Sequence, residues 1–204
     1  MNILQIGCNE GNDKVTEFLN KNKKHLHKVL LVDASSSALE LAKTFYKDFE
    51  GIDFRHVAVI DSDESEIDLF YPVNTPNNVH CSVLEQHVTQ HKEIEGDIYQ
   101  RPAEKVKKEK VPATKISNLL DYFYHQYIDR LYIDVEGLDC KIIDDIDFEK
   151  YNIGYIRFEH THSENTFKSN GPNLETTIRR LNKFGYTILA DPNCHEDLIA
   201  LKNI

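Results

Sequence analysis

Two apolar runs near the start of the chain are each too short to be helices, and each ends in a residue with a special use. Residues 3–6 run into Gly7, and residues 29–32 run into Asp33. Short apolar runs bounded by turn signals read as buried strands. Between them, Asn12 or Asp13 can cap a helix that reaches about Asn22. After the second run, Ser35, Ser36 and Ser37 supply caps for a helix over about 36–47, with Leu39, Ala42 and Phe45 on one face. Residues 54–60 read as a third strand. This alternation of strand and helix predicts a parallel sheet with helices on its faces.

The middle of the chain breaks the pattern. Residues 66–71 alternate polar and apolar, as a half-exposed strand does. Pro72, Asn74, Pro76, Asn77 and Asn78 mark a turn-rich loop. A polar excursion at about 72–112 is read as lying over a ligand site. Residues 114–127 are read as a helix with Ile116, Leu119, Leu120 and Phe123 on one face. The alternation then resumes, with a strand at 131–135, a helix at 138–146, a strand at 155–159 and a helix at 173–184 that stops at Gly185. Two last strands, 186–190 and 197–201, are joined by so few residues that they must form an antiparallel hairpin. The expected fold is a single α/β domain over 1–204, a doubly wound Rossmann-like sheet, mostly parallel, ending in an antiparallel hairpin.

Composition narrows the partners. The 204 residues carry 24 basic and 34 acidic side chains, a formal net charge of −10. A phosphate backbone needs clustered Lys and Arg, so no nucleic-acid partner is expected. The one basic run, residues 105–110, is interrupted by Glu109 and is read as a solvated loop or helix face. No stretch is long and apolar enough to cross a membrane, and no leader-like segment precedes the first strand. Cys8, Cys81, Cys140 and Cys194 are scattered without a paired spacing, which suggests a reducing, cytoplasmic setting. Among the ten histidines, His87 and His91 have helical spacing with His80 and Cys81 nearby, yet no zinc pattern emerges and no metal ligands are assigned.

Three groups of residues could carry chemistry. Gly7, Cys8, Asn9, Glu10 and Gly11 lie between a strand and a helix start, where glycines let backbone approach a ligand and free N–H groups face it. The spacing is G-x-x-x-G, and Asn9 stands where a dinucleotide loop has its second glycine. A tight strand-to-helix turn would use the same residues. Asp33, roughly 20 residues beyond Gly11, can accept both hydroxyls of a ribose, or cap the helix after it. Asp134 and Glu136 sit two apart at the carboxyl end of a strand, where open α/β sheets bind ligands. They could serve as a base, hold a metal or orient an ammonium group. Glu159 and His160 end the next strand, and His160 could accept a hydroxyl proton near neutrality.

In this order the pieces resemble the FkbM-like family of S-adenosylmethionine-dependent methyltransferases. Residues 6–11, Ile-Gly-Cys-Asn-Glu-Gly, resemble that family's opening I-G-A-N-x-G. Val32-Asp33-Ala34 stands at its acidic strand end, and His56-Val57-Ala58-Val59 resembles its H-N-x-A-V run. Residues 113–120 resemble its T-L-D-x-L lead-in, and residues 132–139, Tyr-Ile-Asp-Val-Glu-Gly-Leu-Asp, are similar to K-I-D-V-E-G-x-E. Phe158-Glu159 and Phe184-Gly185-Tyr186 complete the series. Cys8 replaces an alanine, Tyr132 replaces a lysine, and the serines after Asp33 lack the usual proline.

The resemblance implies S-adenosylmethionine as cofactor. Gly7, Asn9 and Gly11 would cradle its methionine part, Asp33 would hold the ribose, Ala58 with its neighbour Val57 would line the adenine pocket, and Cys8 and Ala34 would also touch the cofactor. Asp134, Glu136, Glu159 and His160 would face the methyl-transfer centre, where a hydroxyl attacks the methyl carbon in line. The acceptor implied is a hydroxyl of a sugar, glycan or small metabolite. Helices that precede the first strand in the family have no counterpart in this sequence, so cover for the cofactor is expected from the 72–112 excursion or from a second subunit of a homo-oligomer. Two other readings stay open on the residues alone. One is a binding or scaffold protein that keeps the fold, and the other is an NAD-dependent oxidoreductase, which the loop spacing and terminal hairpin disfavour.

Overall fold

The computed structural model describes residues 1–72, 81–90, 106–124, 127–163 and 171–203. Seven strands form its main sheet: β1 (Asn2–Ile6), β2 (Lys28–Asp33), β3 (Ile52–His56), β7 (Arg130–Ile133), β8 (Tyr155–Glu159), β9 (Tyr186–Ala190) and β10 (Asp197–Lys202). Their order is β3-β2-β1-β7-β8-β10-β9, and β10 runs antiparallel to both of its neighbours. The chain first winds outward from β1 to β3, then returns to the other side of β1 at β7. That reversal makes a crevice at the carboxyl ends of β1 and β7, the place where open α/β sheets take ligands.

Each central strand feeds two cores because side chains alternate across the sheet. Leu4, Ile6, Leu30, Val32, Leu131, Ile133, Ile156 and Phe158 face one side. Helices α4 (Ile116–Leu120), α5 (Asp139–Asp144) and α6 (Pro172–Lys183) supply Leu119, Leu120, Ile142, Ile143 and Leu181 to that core. On the opposite side, Ile3, Val29 and Leu31 pack with Val15 and Leu19 of α1 (Lys14–Asn22) and with Leu39 and Ala42 of α2 (Ser36–Phe45). Asp13 caps α1 by accepting the N–H of Thr16, and Ser35 caps α2 by accepting the N–H of Ala38. The result is the doubly wound, Rossmann-like sheet with a terminal hairpin that the sequence predicts.

Three expectations change. The segment 54–60 is not one strand. β3 ends at His56, and the chain then leaves the main sheet to become β4 (Ala58–Val59) of a separate three-stranded sheet, β4-β6-β5. The basic run is neither loop nor helix face but part of β6 (Val106–Thr114), paired antiparallel with β5 (Glu66–Pro72). Alternation explains it: Lys108 and Lys110 stay exposed and both bind Asp68 across the pair, while Val111 is buried. The helix expected over 114–127 is only α4 followed by a 3₁₀ turn, Asp121–Phe123, because Tyr124 takes a left-handed conformation with φ +51°. In the excursion, Ser82 bridges to Phe70 of β5 and leads into α3 (Glu85–Gln90). His80, His91, Glu164, Asn165 and the loop at Asn74 to Asn78 lie outside the described residues.

Candidate active site at the carboxyl end of the sheet

The loop after β1 is built around left-handed backbone. Gly7, Asn9 and Gly11 have φ of +79°, +45° and +81°. A side chain at Gly7 would place its Cβ 1.7 Å from the carbonyl oxygen of Asp134, so only glycine fits between β1 and β7. Asparagine is the residue that best tolerates this conformation after glycine, which explains why Asn9 can stand at the loop's centre. The loop is braced against β2. The N–H groups of Gly7 and Cys8 both donate to the Val32 carbonyl at 2.9 and 3.1 Å.

Asp33 completes the brace. Its Oδ2 accepts the Asn9 N–H at 2.7 Å, and its Oδ1 accepts the Ser35 N–H at 2.8 Å. Burial raises its carboxyl pKa, and those two N–H groups hold the rise in check. Each oxygen keeps a second lone pair, so the carboxylate can still accept from a ligand.

The turn after β7 mirrors the glycine loop. Glu136 has φ +57° and Gly137 has φ +117°. A glutamate held left-handed is uncommon, and such strain collects at functional sites. The Ser82 hydroxyl donates to the Glu136 carbonyl at 2.9 Å, tying this turn to the excursion. Asp134 is open to solvent across the crevice, while protein surrounds it on its other sides. Burial raises its carboxyl well above the usual range, and Glu136, Glu159 and Asp139 add to the rise. Burial likewise raises Asp139, to about 7, and it raises Glu159, with Glu136 contributing.

Asp134, Glu136 and Glu159 line two clefts that meet. The first is an open cleft with about 750 Å³ of free space, part of it continuous with solvent. Its apolar wall is Ala38, Val57, Ala58, Val59, Leu69 and Val83; its polar side is Gly7, Asn9, Asp33, Ala34, Ser82, Asp134 and Glu136. The second, with about 820 Å³ of free space that is also part solvent, sets Gln5, Asp13, Lys14, Arg157, Glu159, Glu196 and Asp197 beside an apolar floor of Ile6, Val15 and Ile133. Ile6, Gly7 and Asp134 belong to both.

Of the residues singled out from sequence, Gly7, Asn9, Asp33, Ala34, Val57, Ala58, Asp134 and Glu136 therefore stand around one cleft, and Glu159 lines the next. Cys8 and Gly11 line neither. Cys8 is buried in the core beneath the loop, where burial pushes its thiol up, and Gly11 packs against Tyr46. His160 also lines neither cleft: its Nε2 lies 3.2 Å from the His195 carbonyl oxygen, toward the β9–β10 connection. Sequence reasoning missed Leu69 of β5 and, from the excursion, Ser82 and Val83, which reach the cleft because Ser82 bridges to Phe70 of β5. It also missed the pairing of His87 with Glu136 at 2.8 Å.

The sequence pattern of the Methyltransferase FkbM domain matches residues 2–188. The chain belongs to the FkbM methyltransferase family. No curated protein gives a significant match. Among solved structures, the chain is similar to Aeropyrum pernix fibrillarin (11% identity, TM-score 0.45, covering 98% of this chain and 64% of that one). It is also similar to a precorrin-6y C5,15-methyltransferase of Geobacter metallireducens (12% identity, TM-score 0.47, covering 99% and 80%). A third is the N-methyltransferase NodS of Bradyrhizobium japonicum (13% identity, TM-score 0.44, covering 98% and 83%). This FkbM-family chain thus spans just under two thirds of the fibrillarin chain, and likenesses this distant carry nothing about its acceptor. No helix among the described residues is long and apolar enough to cross a membrane.

Proposed function

We propose that this methyltransferase binds S-adenosylmethionine in the first cleft and methylates a hydroxyl of a sugar, glycan or small metabolite held in the second. The single observation that carries the reading is Asp134, the acidic side chain common to both clefts. The first cleft suits the cofactor by its chemistry. Its apolar wall at Val57, Ala58 and Leu69 offers a slot for a flat base, and Asp33 offers lone pairs to ribose hydroxyls. Glycine at position 7 lets β1 and the turn after β7 close together at the floor of that cleft.

When bound, the cofactor supplies an activated methyl group carried on a positively charged sulfur. Asp134 and Glu136 favour that positive charge electrostatically. Asp134, its carboxyl raised by burial and by neighbouring carboxylates, accepts the proton of the hydroxyl that is methylated. The polar walls of the second cleft, with Arg157, Glu159 and Asp197, offer hydrogen bonds to an acceptor rich in hydroxyls. The rest of the protein's part is positioning.

Isothermal titration tests the reading. S-adenosylmethionine and S-adenosylhomocysteine should both give heat, and NAD none. Silence with both, or tighter binding of NAD, overturns it.

A further inference from the structure

Three segments far apart in the chain bring nitrogen and oxygen donors together beside the first cleft. His87, from α3, is fully buried, and its Nε2 lies 2.8 Å from Glu136 Oε2 in the turn after β7. His162, from the loop after β8, is 5% exposed and packs edge-on against His87 with ring centroids 4.6 Å apart. One ligand atom from each of His87, Glu136 and His162 lies within 4.8 Å of the others.

The surroundings orient these donors. His162 Nδ1 lies 2.8 Å from Glu159 Oε1, which also accepts the Thr161 hydroxyl at 2.9 Å. A carboxylate at Nδ1 places the proton there and makes Nε2 the nitrogen with the lone pair, the arrangement that fixes metal-ligating histidines. Glu159 is itself more than nine-tenths buried, and its Oε2 has no hydrogen-bond partner among the described residues. Glu136 is aimed by its left-handed backbone and by Ser82 on its carbonyl. Asp134, Glu136, Asp139 and Glu159 bring four carboxyl groups to this end of the sheet, and a cation among them relieves their mutual repulsion.

We propose that His87, Glu136 and His162 bind one divalent transition-metal ion, with Glu159 positioning His162. Two imidazoles and a carboxylate suit zinc, cobalt or iron and not the hard ions magnesium and calcium. Donors around tetrahedral zinc lie about 3.4 Å apart, so the present spacings need only modest side-chain movement. Three protein ligands leave a coordination position open. Because Glu136 lines the first cleft, the ion stands at the wall of that cleft. There it would hold and acidify the oxygen of the acceptor, a role that rests on the methyl-transfer reading; the binding of the ion does not. The sequence carries no zinc spacing because its three donors belong to separate elements.

The test uses the full chain, stripped with a chelator, titrated with zinc chloride, desalted and measured for metal by mass spectrometry. About one zinc per chain should remain, and cobalt(II) in its place should give the intense visible bands of a four- or five-coordinate ion. His87→Gln and His162→Gln should each weaken zinc by about tenfold or more, and Glu159→Gln by about 10- to 100-fold. Exposed Glu85→Gln, on the same helix as His87, should leave it unchanged. If the histidine variants fail to fold by circular dichroism, the wild-type cobalt spectrum decides; the weak spectrum of a hexa-aquo ion overturns the site. S-adenosylhomocysteine titration of the same preparations separates the two ideas. Cofactor binding without zinc sinks the ion site alone, and zinc without cofactor binding sinks the cofactor reading alone.

Discussion

Gly7 lies directly beneath Asp134: a methyl group on Gly7 would sit 1.7 Å from the Asp134 carbonyl oxygen. The two residues close the crevice between β1 and β7, and the Asp134 N–H donates to the Ile6 carbonyl at 3.0 Å. Gly7→Ala forces both a clash with backbone and a side chain at φ +79°. We expect it to cost about 3 kcal/mol of stability and to abolish cofactor binding. Urea denaturation followed by circular dichroism measures the first part, and an unchanged midpoint would count against the packing described.

Asp33→Ala removes the acceptor of two backbone N–H groups and the proposed ribose ligand together. Hydrogen bonds to a charged group are each worth about 1.5–3 kcal/mol. S-adenosylhomocysteine affinity should therefore fall by about 10- to 100-fold. Calorimetry at matched protein folding reads this directly; equal affinity would refute the ribose assignment.

Asp134→Asn keeps the shape of the crevice and removes the proposed proton acceptor. Turnover should drop by about 10²- to 10⁴-fold, while the dissociation constant for S-adenosylhomocysteine moves little. A fall in affinity with turnover preserved would reverse the roles given to Asp134 and Asp33.

Arg157 joins the hairpin to β8 by binding both Asp191, at 2.7 Å, and Asp197. The two carboxyls respond differently. Burial would raise Asp191, but the Asn193 N–H and the Arg157 guanidinium outweigh it and hold the carboxyl below its ordinary value. Asp197 is raised by burial, which Arg157 only partly offsets. A carboxyl lowered on folding contributes stability that is complete above its unfolded value, near about 3.9, and is lost as pH falls through the folded value. The gap in melting temperature between wild type and Asp191→Asn should thus be steady above about pH 5 and shrink below about pH 4. Asp197→Asn should cost less than Asp191→Asn at neutral pH. Melting curves from pH 3 to 8 decide, and a gap that persists undiminished at pH 3 would be the wrong outcome.

Much of this architecture was legible because its signals are local. Residues 3–6 and 29–32 announce buried strands by their apolar character, Asp13 and Ser35 announce helix starts, and the brief join between β9 and β10 permits only a hairpin. The positions of Gly7, Asp33 and Asp134 follow from the rule that ligands meet the carboxyl ends of parallel strands. What escaped depends on contacts between distant segments. Lys108 and Lys110 look like a solvated run until Asp68 is seen opposite them. Val57 still bonds β2 through the Asp33 carbonyl at 3.0 Å, and the chain departs at Ala58 to pair with Ala113 of β6, a distant partner that periodicity cannot reveal. His87 has helical spacing with His91 in the sequence, but its partner in space is Glu136.

The bracing of the glycine loop bears on how the proposed cofactor site would fill. Gly7 and Cys8 are tied to Val32, and Asn9 is tied to Asp33, by bonds made entirely within the protein. The loop's ordering entropy is therefore spent when the chain folds and is not charged again on binding. On the proposed reading, cofactor capture is then a docking event on a preformed seat, with association set by diffusion and orientation. Loosening any one of those ties would slow the approach of every ligand that uses the seat, whatever acceptor waits beside it.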